Sequence, residues 1–357
     1  MRILYGVAAE GMGHAVRSAV VARHLQDRGH GVCIASSGKA LEYMQARFAS
    51  TIRVTGLGIV QERGQLSHLS TVISNAVRQG LGALGDLATG LDVALSDRPD
   101  VVISDFEPWS ARLALALSVP LLAVDSLHFL SRFRHPRELI DVDAALTLPV
   151  IDAMVPFARR YFVCPLSSFS VTAPSTHPEN TSVHLPILRP EILRAKKNAS
   201  VGKHLTVYLN DLASSRAALE VLALSDVPCH VWGGPRPPGI VSSNLSFRPF
   251  DDAGFLYDLM TCRAVVGSAG ALLGEAAAIG KPMLALPIGG HWEQKVNASY
   301  LEAQGYGESH DVLTSEGLSL FLERAPEYAK VLKSVQHDDN RELFEALDLE
   351  LSRIAAL

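Results

Sequence analysis

Residues 265–297, VVGSAGALLGEAAAIGKPMLALPIGGHWEQKVN, place small and polar side chains at a spacing that suits a charged, hydroxyl-rich ligand. The apolar run at 264–266 reads as a strand, 267–270 as a small-residue turn, 271–279 as a helix and 283–286 as a second strand. A glycine-rich turn between strand and helix presents backbone N–H groups at a helix N-terminus, which suits a phosphate. Ser268, Glu275, His291, Glu293 and Gln294 are the polar side chains this unit would gather. Their chemistry fits the hydroxyls of a ribose and a sugar ring. Each part alone is common in proteins. The ordered succession of turn, helix carboxylate, Gly-Lys-Pro turn, strand and His-Trp-Glu-Gln loop is far more specific.

A second group lies near the N-terminus. Gly11-Met12-Gly13-His14 follows the first apolar run, with Arg17 one turn further on. Ala15 and Val16 stand where a dinucleotide fingerprint needs its third glycine, and Ser36-Ser37 where it needs an acid, so that site is disfavoured. The glycines instead let the backbone turn tightly and bring His14 to a helix N-terminus. A neutral imidazole there either takes a proton from a hydroxyl or merely caps the helix. Asp105, in Ser104-Asp105-Phe106-Glu107, ends another apolar run and so lies on the ligand side of a parallel sheet. It either accepts the second N–H of His14 or caps the helix starting near Ser110. Asp125 and His128 form a rival pair after the next run. Asp141-Val142-Asp143 has the form of a metal-binding DxD tripeptide, but its surroundings are helical and it reads as a solvated helical face. Arg132, Arg134, His135 and Arg137, interleaved with Phe129, Leu130 and Phe133, read as a solvated basic loop, with an anionic acceptor or a membrane surface as the other reading.

Positioning such groups takes a substantial scaffold. At 357 residues the chain is long enough for two domains, and 48% hydrophobic with 19% charged residues is a globular composition. A net charge of −5 argues against nucleic acid as a partner. The four cysteines contain no CxxC, so neither zinc nor a disulfide framework is indicated. The first residues read as a β-strand rather than a signal peptide, and no apolar run approaches the roughly 18 residues that span a bilayer. A cytoplasmic location is the expectation.

Short apolar runs alternate with helical stretches through both halves, which predicts parallel sheets with right-handed crossovers. Residues 69–95 read as a long helix interrupted by glycines. Five prolines between 165 and 190 mark a linker. The resulting division is 1–165 for the N-terminal domain, 166–190 for the linker and 191–335 for the C-terminal domain. Residues 336–357 form a helix whose Leu343, Leu347, Leu351 and Ile354 share one face and would dock back across the boundary.

The segments EGMGHAVRS, VVISDFEPWSA and residues 247–307, ending GHWEQKVNASYLEAQGYG, together resemble GT-B glycosyltransferases. The likeness is to the group related to the lipid II GlcNAc-transferase and the plant and antibiotic glycosyltransferases. It implies an α/β architecture of two Rossmann-like domains with parallel sheets and an interdomain cleft. It also implies metal-independent, inverting transfer from a nucleoside diphosphate sugar to an acceptor hydroxyl. UDP is the expected nucleotide, with dTDP and GDP open, and no cofactor is expected. By position, His14 matches the general base and Asp105 its orienting partner. Gly13, Arg17, Glu107 and His128 fall on the acceptor side. Phe250 matches the residue covering the base, and Ser268, Ala269 and Gly270 the diphosphate turn. Glu275 matches the ribose carboxylate, and Glu293 with Gln294 the pair that reads the sugar. His291 and Asn297 lie in the same segment, and Ser214, Ser215 and Arg216 occupy a loop that often contributes donor contacts. One residue fewer than the family pattern between Gly270 and Glu275 turns Glu275 by about 100°. The acceptor stays open among glycolipid, polysaccharide and small natural product, as does peripheral membrane contact. A nucleotide-sugar hydrolase or 2-epimerase on the same fold, or a non-catalytic nucleotide-sugar-binding protein, are the alternatives.

Overall fold

The computed structural model describes residues 1–9, 11–58, 60–62, 65–166, 175–209, 211–249 and 251–356. The chain begins with β1 (Arg2–Val7), α1 (Gly11–Asp27), β2 (Gly31–Ser36), α2 (Gly38–Gln45) and β3 (Thr51–Arg53). A two-stranded hairpin of β4 (Gln61–Glu62) and β5 (Gln65–Leu66) leads into the long α3 (His68–Ser96). Then come β6 (Val101–Asp105), α4 (Pro108–Leu117), β7 (Leu121–Asp125), α5 (His128–Arg132), α6 (Val142–Met154), β8 (Arg160–Val163) and β9 (Thr181–Val183). Seven of these strands form one parallel sheet in the order β3-β2-β1-β6-β7-β8-β9. Its central strands are buried on both faces, which is why they read as unbroken apolar runs.

The second half follows with α7 (Pro190–Ala195), β10 (Leu205–Tyr208), α8 (Arg216–Ala223), β11 (Cys229–Trp232), β12 (Leu245–Phe247), α9 (Asp252–Thr261) and β13 (Ala264–Gly267). It continues through α10 (Leu272–Ala278), β14 (Met283–Ala285), α11 (Trp292–Ala303), β15 (Gly307–Ser309) and α12 (Ser315–Leu332) to α13 (Arg341–Ala355). Its sheet is also parallel, in the order β12-β11-β10-β13-β14-β15. Among the described residues no helix is long and apolar enough to cross a membrane.

Each sheet reverses its strand order once, between β1 and β6 in the first and between β10 and β13 in the second. Ligands of such sheets bind at the carboxyl ends of the strands flanking that reversal. The register brings Val7 beside Asp105 at one switch point and Tyr208 beside Gly267 at the other.

Three local differences from the sequence reading have physical causes. The helix carrying His14 starts at Gly11, earlier than expected, because Gly11 takes a left-handed φ of +71° that turns the chain directly into it. The segment expected as linker contributes β9, which pairs with β8, so the first sheet extends to residue 183; residues 167–174 of that segment lie outside the described ones. The aromatic-basic stretch is not a solvated loop. Phe129, Leu130 and Phe133 are buried, and His135 sits between Phe129, Tyr300 and Trp292.

That cluster joins the two halves. Trp292, at the start of α11, is buried in the core of the first sheet and donates its indole N–H to Leu139 O at 2.7 Å. Lys295 on the same helix pairs with Asp141, whose carboxylate also caps α6 through Ala144 N, so the DxD tripeptide has structural roles. The C-terminal helix α13 lays Leu343, Leu347, Leu351 and Ile354 against Ile3, Tyr5 and Val21 of the first domain.

Candidate functional site at the facing switch points

Asp105 is the last residue of β6, and its backbone carbonyl accepts from Ala8 N at 3.0 Å, which fixes it beside the end of β1. Phe106 then adopts φ +56°, a strained conformation for a bulky residue and common at functional sites. This turn separates two neighbouring carboxylates. Glu107 caps α4, accepting from Trp109 N at 2.9 Å and Ser110 N at 2.6 Å. Asp105 is thereby released from capping and points at α1.

On α1, His14, Arg17 and Ser18 share one face because they lie three and four residues apart. All three converge on Asp105. His14 Nδ1 is 2.8 Å from Oδ1, Arg17 Nη2 is 2.6 Å from the same oxygen, and Arg17 Nε and Ser18 Oγ lie 2.8 and 2.7 Å from Oδ2. Arg17 Nη1 also donates to Ser126 Oγ at 2.8 Å. Arg17 Nη2 approaches His14 Nδ1 to 2.7 Å. An arginine has only donors, so this contact and the His14–Asp105 bond compete for one nitrogen. We assign the proton to Nδ1, where it donates to the carboxylate and leaves Nε2 as the acceptor. Burial alone would raise the Asp105 pKa, but the Arg17 charge, His14 and the hydrogen bonds outweigh it and hold the carboxyl well below its usual range.

Asp125 and His128 form a parallel pair one strand over. His128 Nδ1 lies 2.6 Å from Asp125 Oδ2, and its backbone N–H reaches Oδ1 at 2.9 Å. The ring is 1% exposed and packs against Tyr161 and Phe106, and its Nε2 is buried without a hydrogen-bond partner. His128 therefore does not open onto the acceptor side as expected. Arg17 is also turned inward by Asp105 and Ser126, and Glu107 is spent on its cap, so neither faces an acceptor. Burial raises the pKa of Glu107, against the hydrogen bonds from Ser110 and Trp109.

The second switch point supplies the opposite wall. Ser268 and Ala269 are buried between β13 and α10, and no side chain caps α10. Gly270 N bonds Ser268 O at 2.8 Å, which tightens the turn. Asn297 Nδ2 donates to Ala269 O at 3.0 Å, and Gln294 Oε1 accepts from Ile288 N at 2.9 Å. Gln294 is buried and braces the loop before α11, so its carbonyl oxygen is not offered to a sugar. Glu293, in the first turn of α11, is half-buried and close enough to Arg17 to act on its charge. His291 occupies the N-cap position of that helix. Both oxygens of Glu275 accept from Arg189, at 2.7 and 2.8 Å, so the carboxylate is committed to an ion pair rather than open for a ribose. Ser214 is exposed, its hydroxyl bonded to Asp211, and Ser215 precedes α8, both beyond the carboxyl end of β10. Arg216 pairs with Glu220 and Pro238 O. Phe250 lies outside the described residues.

The two walls touch. A Cβ on Gly13 would lie 2.6 Å from the Ala271 Cβ, so only glycine allows the His14 turn to approach the turn at 268–271 this closely. Ser18, Ser126 and Phe106 join the site without having stood out in the sequence. Ser18 was detectable as the i+4 neighbour of His14, whereas Ser126 and Phe106 depend on strand neighbours.

Among the described residues, the His, Cys, Asp or Glu donors grouped closely enough for a metal are His204, His230 and Asp258, beside a cavity of about 380 Å³ away from both turns. The two imidazoles stack at 4.1 Å and 18°, with Arg248 Nη2 3.2 Å from His230. Parallel rings aim their lone pairs side by side, and the guanidinium adds a positive charge, so the group is poorly arranged for a cation.

The chain matches glycosyl transferase family 1 over residues 1–326. An uncharacterized glycosyltransferase of Methanosarcina acetivorans is 24% identical over 348 residues, covering 88% of this chain and 84% of the relative. Among solved structures, the glycotransferase of kitacinnamycin aligns at TM-score 0.67 and 18% identity, covering 99% of this chain and 98% of its own. Phytolacca americana UGT2, complexed with UDP-2fluoro-glucose and pterostilbene, aligns at TM-score 0.70 and 12% identity, with 99% of each chain covered.

Proposed function

The chain belongs to glycosyl transferase family 1 and has the GT-B fold, and from that premise we propose that it transfers a sugar, with inversion and without a metal, from a UDP-sugar to an acceptor hydroxyl. The observation that carries this reading is the His14–Asp105 pair held directly against the turn at 268–271.

His14 Nε2 takes the proton of the acceptor hydroxyl as that oxygen attacks the anomeric carbon. Asp105 holds the Nδ1–H tautomer and balances the positive charge that appears on the ring. Attack from the face opposite the leaving nucleotide inverts the anomeric centre. The N-terminal end of α10 stabilises the charge developing on the departing diphosphate. Arg17 offsets part of the Asp105 charge, keeping the buried cluster close to neutral before the proton moves. In this reading Glu293 and His291, at the start of α11, meet the sugar hydroxyls, Gln294 holds their loop and Asn297 ties α11 to the turn at 268–271. The UDP preference is supported by the UDP-2fluoro-glucose with which Phytolacca americana UGT2 is complexed.

The experiment is turnover of a panel of nucleotide sugars with candidate acceptors, with the product anomer read by NMR. His14→Ala is expected to bind nucleotide as the wild type does and to lose at least about 100-fold in kcat. Unchanged turnover would remove His14 from the mechanism. Rapid stoichiometric release of free sugar without an acceptor would instead identify a hydrolase.

A further inference from the structure

We propose that the outward face of α3 is a two-fold interface between copies of this chain. The helix is 29 residues and about 43 Å long. It is inverted relative to an ordinary surface helix, which turns its apolar side inward. Three of its polar side chains face its own domain: Asn75 bonds Gly58 N and O, Gln79 bonds Thr55 O and Asp86 bonds Thr55 N. Nine large aliphatic side chains face out, each more than half exposed, with Leu81 at 85% and Leu84 at 83%.

Eight of the nine outward residues are self-complementary, and the ninth, Val72, falls opposite Asp92. An antiparallel copy placed across a two-fold axis at residue 82 sets Leu69 opposite Leu95, Ile73 opposite Leu91 and Val77 opposite Leu87. Next to the axis, large meets small: Leu84 falls over Gly80, and Leu81 over Ala83. Nothing lies within 4 Å of the position a Cβ would take on Gly80, which leaves room for the incoming leucine. An isologous interface needs this kind of self-matching pattern, and a surface that meets an unrelated partner does not.

Area and chemistry favour the same occupant. Nine such side chains carry on the order of 500 Å² of apolar surface. With the intervening alanines and glycines and the polar margin, this approaches the roughly 800 Å² per partner of a stable interface. A helix built to lie on a bilayer carries lysines and arginines along its polar side and aromatic rings on the other. α3 has no Lys, Trp, Tyr or Phe, and its one Arg, Arg78, lies against Gly58.

The test is the mass of the full chain in solution by light scattering at micromolar concentration, without lipid. Twice the chain mass is expected, and Leu81→Glu with Leu84→Glu should give the single-chain mass while retaining the wild-type circular dichroism. Disulfide trapping reads the register without depending on that variant. Leu81→Cys should crosslink to itself, because its copies lie within about 3 Å along the axis. Leu69→Cys should not, with about 39 Å between its copies, but should crosslink when mixed with Leu95→Cys. A wild-type monomer, or crosslinking of Leu69→Cys to itself, would overturn the proposal. So would sedimentation with phosphatidylcholine vesicles in place of a dimer.

Discussion

Replacing Asp105 by Asn tests the heart of the site because it keeps the shape and removes the charge. In the wild type, one buried carboxylate accepts from His14, Ser18 and two nitrogens of Arg17. The amide leaves Arg17 buried without its counter-charge, and breaking a buried ion pair from one side costs about 3–5 kcal/mol. It also presents an N–H₂ group that can donate to His14 Nδ1 and force the proton onto Nε2, the tautomer that cannot act as a base. A kcat loss of roughly 10²–10⁴ is therefore expected, with nucleotide-sugar KM little changed. The Asp105 pKa is depressed in the folded state, so its stabilising contribution is fully present above the unfolded value near 3.9 and is lost only as pH falls through the lower folded value. Measurements near neutral pH thus read the whole effect. Urea unfolding and steady-state kinetics are the assays. The companion variant Arg17→Met with Asp105→Leu removes both charges, so stability should largely return while activity does not. Activity recovering together with stability would refute a catalytic role for the pair and leave it purely structural.

Glu107→Gln has a single acceptor oxygen and should keep one of the two cap hydrogen bonds on α4, while Glu107→Ala should cost about 0.5–2 kcal/mol in unfolding free energy. Because the folded pKa of Glu107 is raised, ionisation penalises the wild type as pH climbs through that value, so the Glu107→Gln variant should gain relative stability toward neutral pH; an opposite trend would contradict the burial argument. Trp292→Phe removes the donor to Leu139 O and should lower stability by about 1–3 kcal/mol, measured by thermal or urea unfolding. Glu275→Gln should alter nucleotide-sugar KM by less than about threefold, under about 1 kcal/mol, because Arg189 already holds both oxygens; a tenfold rise at constant kcat would return that carboxylate to the ribose.

The two parallel sheets were legible in the amino-acid order alone, since strands buried on both faces must be continuous apolar runs and crossover helices must separate them. So was the placement of His14 and Asp105 at the carboxyl ends of strands, because a parallel sheet points every carboxyl end the same way. Which neighbouring carboxylate would cap α4 was not legible. That choice turns on the left-handed Phe106, which hands the cap to Glu107 and gives Asp105 to Arg17 and His14. Arg17 and His128 looked ligand-facing from their positions, but strand neighbours bury both. The commitment of Glu275 to Arg189 joins residues 86 apart in sequence, beyond any local pattern. The aromatic-basic stretch 129–137 is half of a contact whose other half, Trp292 and Tyr300, lies across the cleft. In α3 the sequence reads as a long helix interrupted by glycines, and it takes the folded chain to turn its polar face inward. Periodicity fixes that a helix has two faces, and packing alone selects which one meets the protein.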